Sequence, residues 1–246
     1  MIPKLSIILP SVKSKELYKC IQSIVQNTTI NYELFIISDY RIISNLDFKQ
    51  YIGQSFNGEI IEDVFLDGPV GAINQALPYA KGEYIVTLSD DCLVTPNWAS
   101  NMISFLEKLY FKNAIGSFRV FDETGELGDI GYYGRSFSLF PFMRRDMIHT
   151  INGYYSNEYN AFYSDPDLGI RAWQYGKGVY TCPNAFIYHK YNPDIVHISN
   201  KSKYFLKDEE IFRKKWDWLG EWNNCQKIYP NVIDLYPTTL PSIKES

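Results

Sequence analysis

Four short apolar runs, "KLSIILP", "YELFIIS", "GEIIEDVFL" and "EYIVTLS", alternate with stretches of helical spacing over the first 112 residues. Runs this short and this apolar suit strands covered on both faces, the condition of a parallel sheet. Between the first two, "SKELYKCIQSIVQN" puts Leu17, Cys20, Ile21, Ile24 and Val25 on one helical face, with Ser14 available as N-cap. Ala72, Ile73, Ala76, Leu77 and Ala80 form a second such face, which Gly82 ends. A polar, partly helical piece over Ile43–Ile52 is expected before the third strand, and a helix opening at Thr95-Pro96 after the fourth. The alternation predicts an α/β domain on a doubly wound, mostly parallel central sheet flanked by helices.

After about Asn113 the alternation loses its regularity. "NAIGSFRVF" and "GYYGRSFSLFPFMRR" read as strands, enough for a smaller second sheet, and "DPDLGIRAWQYG" as a helix. "KGVYTC" and "NAFIYHK" read as two further strands, followed by the amphipathic helix "KDEEIFRKKWDWLGEW". Trp173, Trp216, Trp218 and Trp222 fall at helical spacing, so packing in the core or at its rim is the default for them. The reading is one domain over 1–222, with halves at 1–112 and 113–222. Residues 223–246 follow as a Pro-punctuated extension that offers a surface for oligomerisation.

A net charge of −4 argues against nucleic acid as partner, since a phosphate-tracking groove needs a basic excess. The four cysteines lack any C-x-x-C pair, so a zinc site or disulfide framework is not expected and a reducing compartment fits better. The opening "MIPKLSIILPS" is too short for a signal core, and no run reaches the ~18 apolar residues of a membrane span. The expectation is a cytoplasmic protein, with only peripheral membrane association left open.

Ligands of such sheets bind beyond the carboxyl ends of the strands. Pro10, Asp39, Asp67 and the triplet Ser89-Asp90-Asp91 all stand at those ends and are expected to converge on one crevice. Adjacent carboxylates repel and resist burial, so a positive group is expected at Asp90 and Asp91.

The order of these pieces resembles the inverting family 2 glycosyltransferases, which have a GT-A fold and use nucleotide-diphospho-sugar donors. The resemblance rests on "SIILPS", "ELFIISD", "AINQALPYAKGEYIVTLSDD", "INGYYSNEY", "SDPDLGIR", "IYHK" and "FRKKW", in register from residue 5 to about 216. The chain departs from the family pattern at Ser89, where the D-x-D triplet has its first Asp, and at Ser164, where the E-D pair has its first acid.

The resemblance implies transfer of a sugar to a hydroxyl acceptor, such as a glycan, with inversion and a divalent cation, Mn²⁺ or Mg²⁺. Asp91 would bind the metal and Asp90 would face the ribose or backbone; the bland alternative makes both caps of a strand–loop junction. His189 would be a second metal contact, with His197 its rival and His149 a surface residue. Imidazole suits Mn²⁺ better than Mg²⁺. Asp39 would accept the N3–H of uracil or thymine, against a plain turn role. Pro10, Gly71, Asn74 and Ser89 would line the donor, although Gly71 and Asn74 also suit a mere helix start.

Asp165 would be the general base, with Gly153 and Asp167 on the acceptor side. As a rival, Asp165 before Pro166 is a good N-cap, but Ser164 with Asp167 three residues on makes an alternative capping box that frees Asp165. Arg171 would pair with a carboxylate one turn back. The rival function is a non-catalytic nucleotide- or glycan-binding module that kept the fold.

Overall fold

The computed structural model describes residues 2–12, 14–39, 58–64, 67–109, 113–190, 195–220 and 226–227. The expected helical piece at Ile43–Ile52, and the C-terminal extension apart from Gln226–Lys227, lie outside these residues. The elements run β1 (Leu5–Ser11), α1 (Ser14–Asn27), β2 (Tyr32–Ser38), β3 (Gly58–Glu62), α2 (Pro69–Ala76), β4 (Tyr84–Thr87), β5 (Cys92–Val94) and α3 (Trp98–Lys108). They continue with β6 (Ile115–Asp122), β7 (Gly125–Glu126), β8 (Ile130–Tyr132), β9 (Arg135–Phe137), β10 (Phe142–Arg144) and α4 (Met147–Thr150). The last are α5 (Ser164–Gln174), β11 (Val179–His189), α6 (Ile195–Trp216) and β12 (Gln226–Lys227).

The central sheet has the order β3-β2-β1-β4-β10-β6-β11-β5, with β7 paired to β6. Its first four strands are parallel. β10 then runs antiparallel to both β4 and β6, and β11 is parallel to β6. A small sheet of order β12-β8-β9 stands apart. β1, β2 and β4 are buried on both faces, as their composition requires, whereas the edge strand β3 keeps Ile60 and Ile61 only half-buried. Leu5, Ile7 and Leu9 pack toward Leu17, Ile21 and Ile24 of α1 and Met102 of α3, whereas Ile8, Phe35 and Ile37 face Val70, Ile73 and Ala76 of α2. The α5 and α6 residues Leu168, Ile170, Phe212 and Trp216 extend that second cluster.

Local chemistry explains two junctions. Glu33 at the head of β2 is buried, and its Oε1 accepts from Ser6 Oγ (2.5 Å), Lys81 N (2.6 Å) and Gly82 N (3.1 Å). One carboxylate thus satisfies the backbone that turns into β4. Gly68 has φ of +93°, and a Cβ there would lie 2.4 Å from the Asn160 carbonyl oxygen, so only glycine fits before α2.

Several expectations need correction. The two strands expected over 177–182 and 184–190 are one strand, β11, with a register shift between Cys182 and Phe186 that absorbs the break. Pro96 does not open a helix: it lies in a turn, Asn97 follows in the left-handed region (φ 61°), and α3 begins at Trp98. The short strand β5 intervenes because Cys92–Val94 pair with β11. The late helix starts at Ile195, well before the expected Lys207, and Tyr204 in the added part is buried with its hydroxyl donating to Asp67 Oδ1.

Candidate active site

The carboxyl edge of the parallel strands opens onto a cavity of about 140 Å³ whose wall includes Pro10 from β1, Val70 and Ile73 from α2, Ser89, and Ser164 and Asp165 from α5. Leu139, Phe140 and Tyr155 complete much of the remainder. Pockets that enclose a whole drug-sized ligand run to about 300–1,000 Å³, so this one holds only a part of a larger molecule.

Asp91 and His189 are far apart in sequence. The antiparallel pairing of β5 with β11 sets His189 opposite Cys92, and so beside Asp91. His189 Nε2 lies 3.3 Å from Asp91 Oδ1, and both side chains are largely buried. The imidazole stands edge-on to Phe140, with ring centroids 5.4 Å apart. Ser89 Oγ donates to the same Asp91 oxygen and lies 3.2 Å from Cys92 Sγ. Asp91, Cys92 and His189 thus present a carboxylate, a thiol and an imidazole with ligand atoms within 4.8 Å of one another. Burial pushes the Cys92 thiol well up, and the oxygen of Asp91 with the imidazole of His189 is the pair whose donor types suit a cation such as Mn²⁺. The side chain of His197 lies outside the described residues.

Asp90 is buried, and its Oδ2 accepts from Ser11 Oγ at 2.6 Å, which turns this carboxylate toward the end of β1. Asp39 stands at the end of β2, part-buried and next to residues outside the description. Asp67 does not reach the cavity wall. Its carboxylate accepts from Tyr204 Oη (2.7 Å) and Asn160 Nδ2 (2.7 Å), held by α6 instead of by a ligand. Asn74 Nδ2 donates to the Tyr155 carbonyl (2.9 Å) and to Asn157 Oδ1 (2.6 Å), so the amide nitrogen anchors the segment after α4. Its buried Oδ1 has no partner among the described residues. Gly71 neighbours the wall residue Val70 without lining the wall itself, and Gly153 lies outside it with φ of +101°. The Gly153 carbonyl accepts from Arg171 Nη1 at 2.8 Å.

Ser164 and Asp167 form no capping box. Tyr163, in the left-handed region, precedes α5, and Ser164 is the first helical residue. Asp167, expected on the acceptor side, is instead fully buried. It accepts from Arg171 Nε (2.7 Å), Lys215 Nζ (2.8 Å), Trp216 Nε1 (3.0 Å) and Tyr159 Oη (3.2 Å), so two cations and two neutral donors draw it away from the cleft. The expected pairing of Arg171 one turn back is with this residue.

Asp165, two positions earlier, points the other way and lines the cavity. Its Oδ1 accepts the Tyr155 phenol. Burial raises its carboxyl to about 7, and the phenol's hydrogen bond partly opposes that rise. A carboxylate poised near neutral pH beside a cavity can take a proton from a hydroxyl. Tyr155, Phe140 and Cys92 were not singled out from the sequence. Only the aromatic pair in "INGYYSNEY" hinted at the first, and nothing local marks the others.

The sequence model of glycosyl transferase family 2 matches residues 6–165. Among curated proteins, the chain is similar to the UDP-Glc:alpha-D-GlcNAc-diphosphoundecaprenol beta-1,3-glucosyltransferase WfgD of Escherichia coli. The two are 27% identical over 128 residues, 50% of this chain and 49% of that protein. It is also similar to protein CgeD of Bacillus subtilis, at 33% identity over 41% of this chain and 25% of that one. The chain therefore spans about half or less of the length of these relatives.

Among solved structures it resembles S. aureus TarS 1-349 in complex with UDP-GlcNAc (TM-score 0.61, 14% identity, 80% of this chain and 60% of that one). It likewise resembles the mannosyltransferase PcManGT of Pyrobaculum calidifontis in complex with GDP-Man and Mn²⁺ (TM-score 0.64, 13% identity, 91% and 66%). At these identities the two likenesses speak for the fold alone, a GT-A-type α/β domain.

Proposed function

The chain belongs to glycosyl transferase family 2, and on that premise we propose that it moves a sugar from a nucleotide-diphospho-sugar to a hydroxyl acceptor with inversion. A glycan is the favoured acceptor. The observation that carries this reading is the meeting, at one strand edge, of the Asp91–His189 pair and a cavity walled by Asp165. The names of relatives add support, since WfgD is described as a UDP-glucose glucosyltransferase and PcManGT is seen with GDP-Man and Mn²⁺.

In this reading Asp91 and His189 hold a divalent cation, and the carboxylate–imidazole set fits Mn²⁺ better than Mg²⁺. Bound there, the cation would supply positive charge to the diphosphate as it leaves. Ser89 orients Asp91 through its hydroxyl, while Asp90 ties the metal-side loop to β1. Pro10, with Gly71 behind the wall, lies along the donor, and Asn74 offers its unpartnered Oδ1 to it. Asp39 reads the imide of uracil or thymine, which favours a UDP- or dTDP-type donor. Asp165 takes the proton of the acceptor hydroxyl as it attacks the anomeric carbon from the face opposite the diphosphate. Residues 1–112 form the donor half and 113–222 the acceptor half, with Gly153 shaping the acceptor-side turn.

The test is Asp165→Asn. Transfer should fall about 10²–10⁴-fold with donor affinity near wild type, because Asn keeps the shape and loses the base. Full transfer by this variant would remove Asp165 as base. Metal-dependent donor binding with no turnover by the wild-type chain would instead favour a binding module that kept the fold.

A further inference from the structure

We propose that Tyr155 is a positioning residue for the transfer step: its phenol holds one oxygen of Asp165 and leaves the other turned to the acceptor hydroxyl. The proposal rests on the reading of Asp165 as base.

The geometry comes from what fixes Tyr155. Its side chain is 7% exposed and packs edge-on against Tyr154, ring centroids 4.8 Å apart. Tyr154 is itself anchored, its hydroxyl 3.2 Å from Thr87 Oγ1 on β4 and donating to the Pro141 carbonyl at 3.0 Å. The backbone is pinned on both sides, with the Tyr154 carbonyl accepting from Arg171 Nη2 and the Tyr155 carbonyl from Asn74 Nδ2. The backbone and ring of Tyr155 are therefore held by α2, by Arg171 of α5 and by the β4-anchored Tyr154, and the phenol is set against Asp165. Asp165 Oδ2 makes no hydrogen bond among the described residues, so the two oxygens are made unequal by one donor.

The surroundings isolate this contact. Among the described residues, the cavity wall around Asp165, drawn from β1, α2, β4, the 139–140 turn and Ala161, carries no ionisable side chain except Tyr155. Tyr154 stands behind Tyr155, and burial keeps both phenols protonated. Among the described residues no side-chain cation faces it, and the phenol is the one group that opposes the effect of burial. Removing the donor should raise the Asp165 carboxyl further, and strengthening the donor should lower it.

The experiment reads the carboxyl carbon of Asp165 by NMR in the full chain labelled at aspartate, the resonance assigned by its loss in Asp165→Asn. Tyr155→Phe should move the titration about one pH unit to the alkaline side. A fluorinated tyrosine at position 155, a stronger donor of the same shape, should move it to the acid side. The second variant guards against a phenylalanine variant that folds poorly, because a purely structural role would not reverse the sign.

The acid limb of the transfer profile should shift the same way. It is measured with whichever of UDP-glucose, UDP-N-acetylglucosamine and GDP-mannose stabilises the chain. At pH 6, Tyr155→Phe should be about tenfold slower, recovering by about pH 9, since rate follows the ionised fraction of the base. If Asp165→Asn is inactive while neither Tyr155 variant moves the titration or the limb, the positioning role is overturned and the base stands. If Asp165→Asn keeps full transfer, the base reading falls, and the positioning role falls with it.

Discussion

Asp165 and Asp167 stand two residues apart in the first turn of α5 and meet opposite surroundings. Asp167 is buried among Arg171, Lys215, Trp216 and Tyr159. Removing its charge leaves the buried Arg171 guanidinium without its carboxylate, and breaking a buried pair costs about 3–5 kcal/mol. Asp167→Ala should accordingly lower the urea midpoint sharply, and a loss below about 1 kcal/mol would show the network to be dispensable. Asp165 is the reverse case. Its carboxyl, raised to about 7 from an ordinary 3.8, keeps in the folded chain a proton that the unfolded chain has lost between those values. Its contribution to stability is therefore full below the unfolded value and declines as pH rises through about 7. Asp165→Asn lacks this slope, so its melting temperature relative to wild type should be higher at pH 8 than at pH 4.5. An equal difference at both pH values would refute the burial argument.

At the scale of elements, a single carboxylate of α6 organises the approach to α5. Asp208 is fully buried, and its Oδ2 accepts backbone N–H groups from Asn160 (3.2 Å), Ala161 (3.0 Å) and Phe162 (2.9 Å). These residues form no regular element, and without Asp208 the part-buried amides of Ala161 and Phe162 and the buried one of Asn160 would lose their acceptor, at about 1–3 kcal/mol for an amide left buried. The same segment passes Gly68 so closely that Val70 N donates to the Asn160 carbonyl at 3.2 Å. Asp208→Ala should therefore reduce stability and speed amide exchange at 160–162 before it affects β1 or β4. Uniform exchange throughout the chain would indicate global loosening instead.

For the whole molecule, the proposed site draws on residues remote in sequence, since Asp91 precedes β5 while Asp165 stands on α5 and His189 ends β11. A ligand that bridges them should stabilise the fold as one unit, by about 2.7 kcal/mol at a hundredfold excess over Kd. Thermal shifts are expected with UDP plus Mn²⁺, smaller ones with GDP plus Mn²⁺, and little with either nucleotide alone. Asp91→Ala should abolish the metal requirement together with the shift. An undiminished, metal-dependent shift in that variant would move the cation site elsewhere, and equal responses to UDP and GDP would remove Asp39 from the base pocket.

The buried strands β1, β2 and β4, and the α1 and α2 faces apart from the exposed Val25, were legible because each is a local pattern with a period of its own. The resemblance carried Asp91, His189 and Asp165 further, as residue types in order along the chain. What order cannot carry is direction. Asp165 and Asp167 read alike in "SDPDLGIR", and only the packing of α6 on α5, which brings in Lys215 and Trp216, buries one and leaves the other at the cavity. Ser164 looked like a cap, but the left-handed Tyr163 already ends the loop before it. Cys92 joined Asp91 and His189, and Asn74 the segment after α4, through contacts made by residues remote in sequence. Local periodicity and residue chemistry are written along one dimension. Which carboxylate is desolvated, paired or left facing a ligand depends on which distant side chains arrive beside it, and that is decided when the sheet and its helices close.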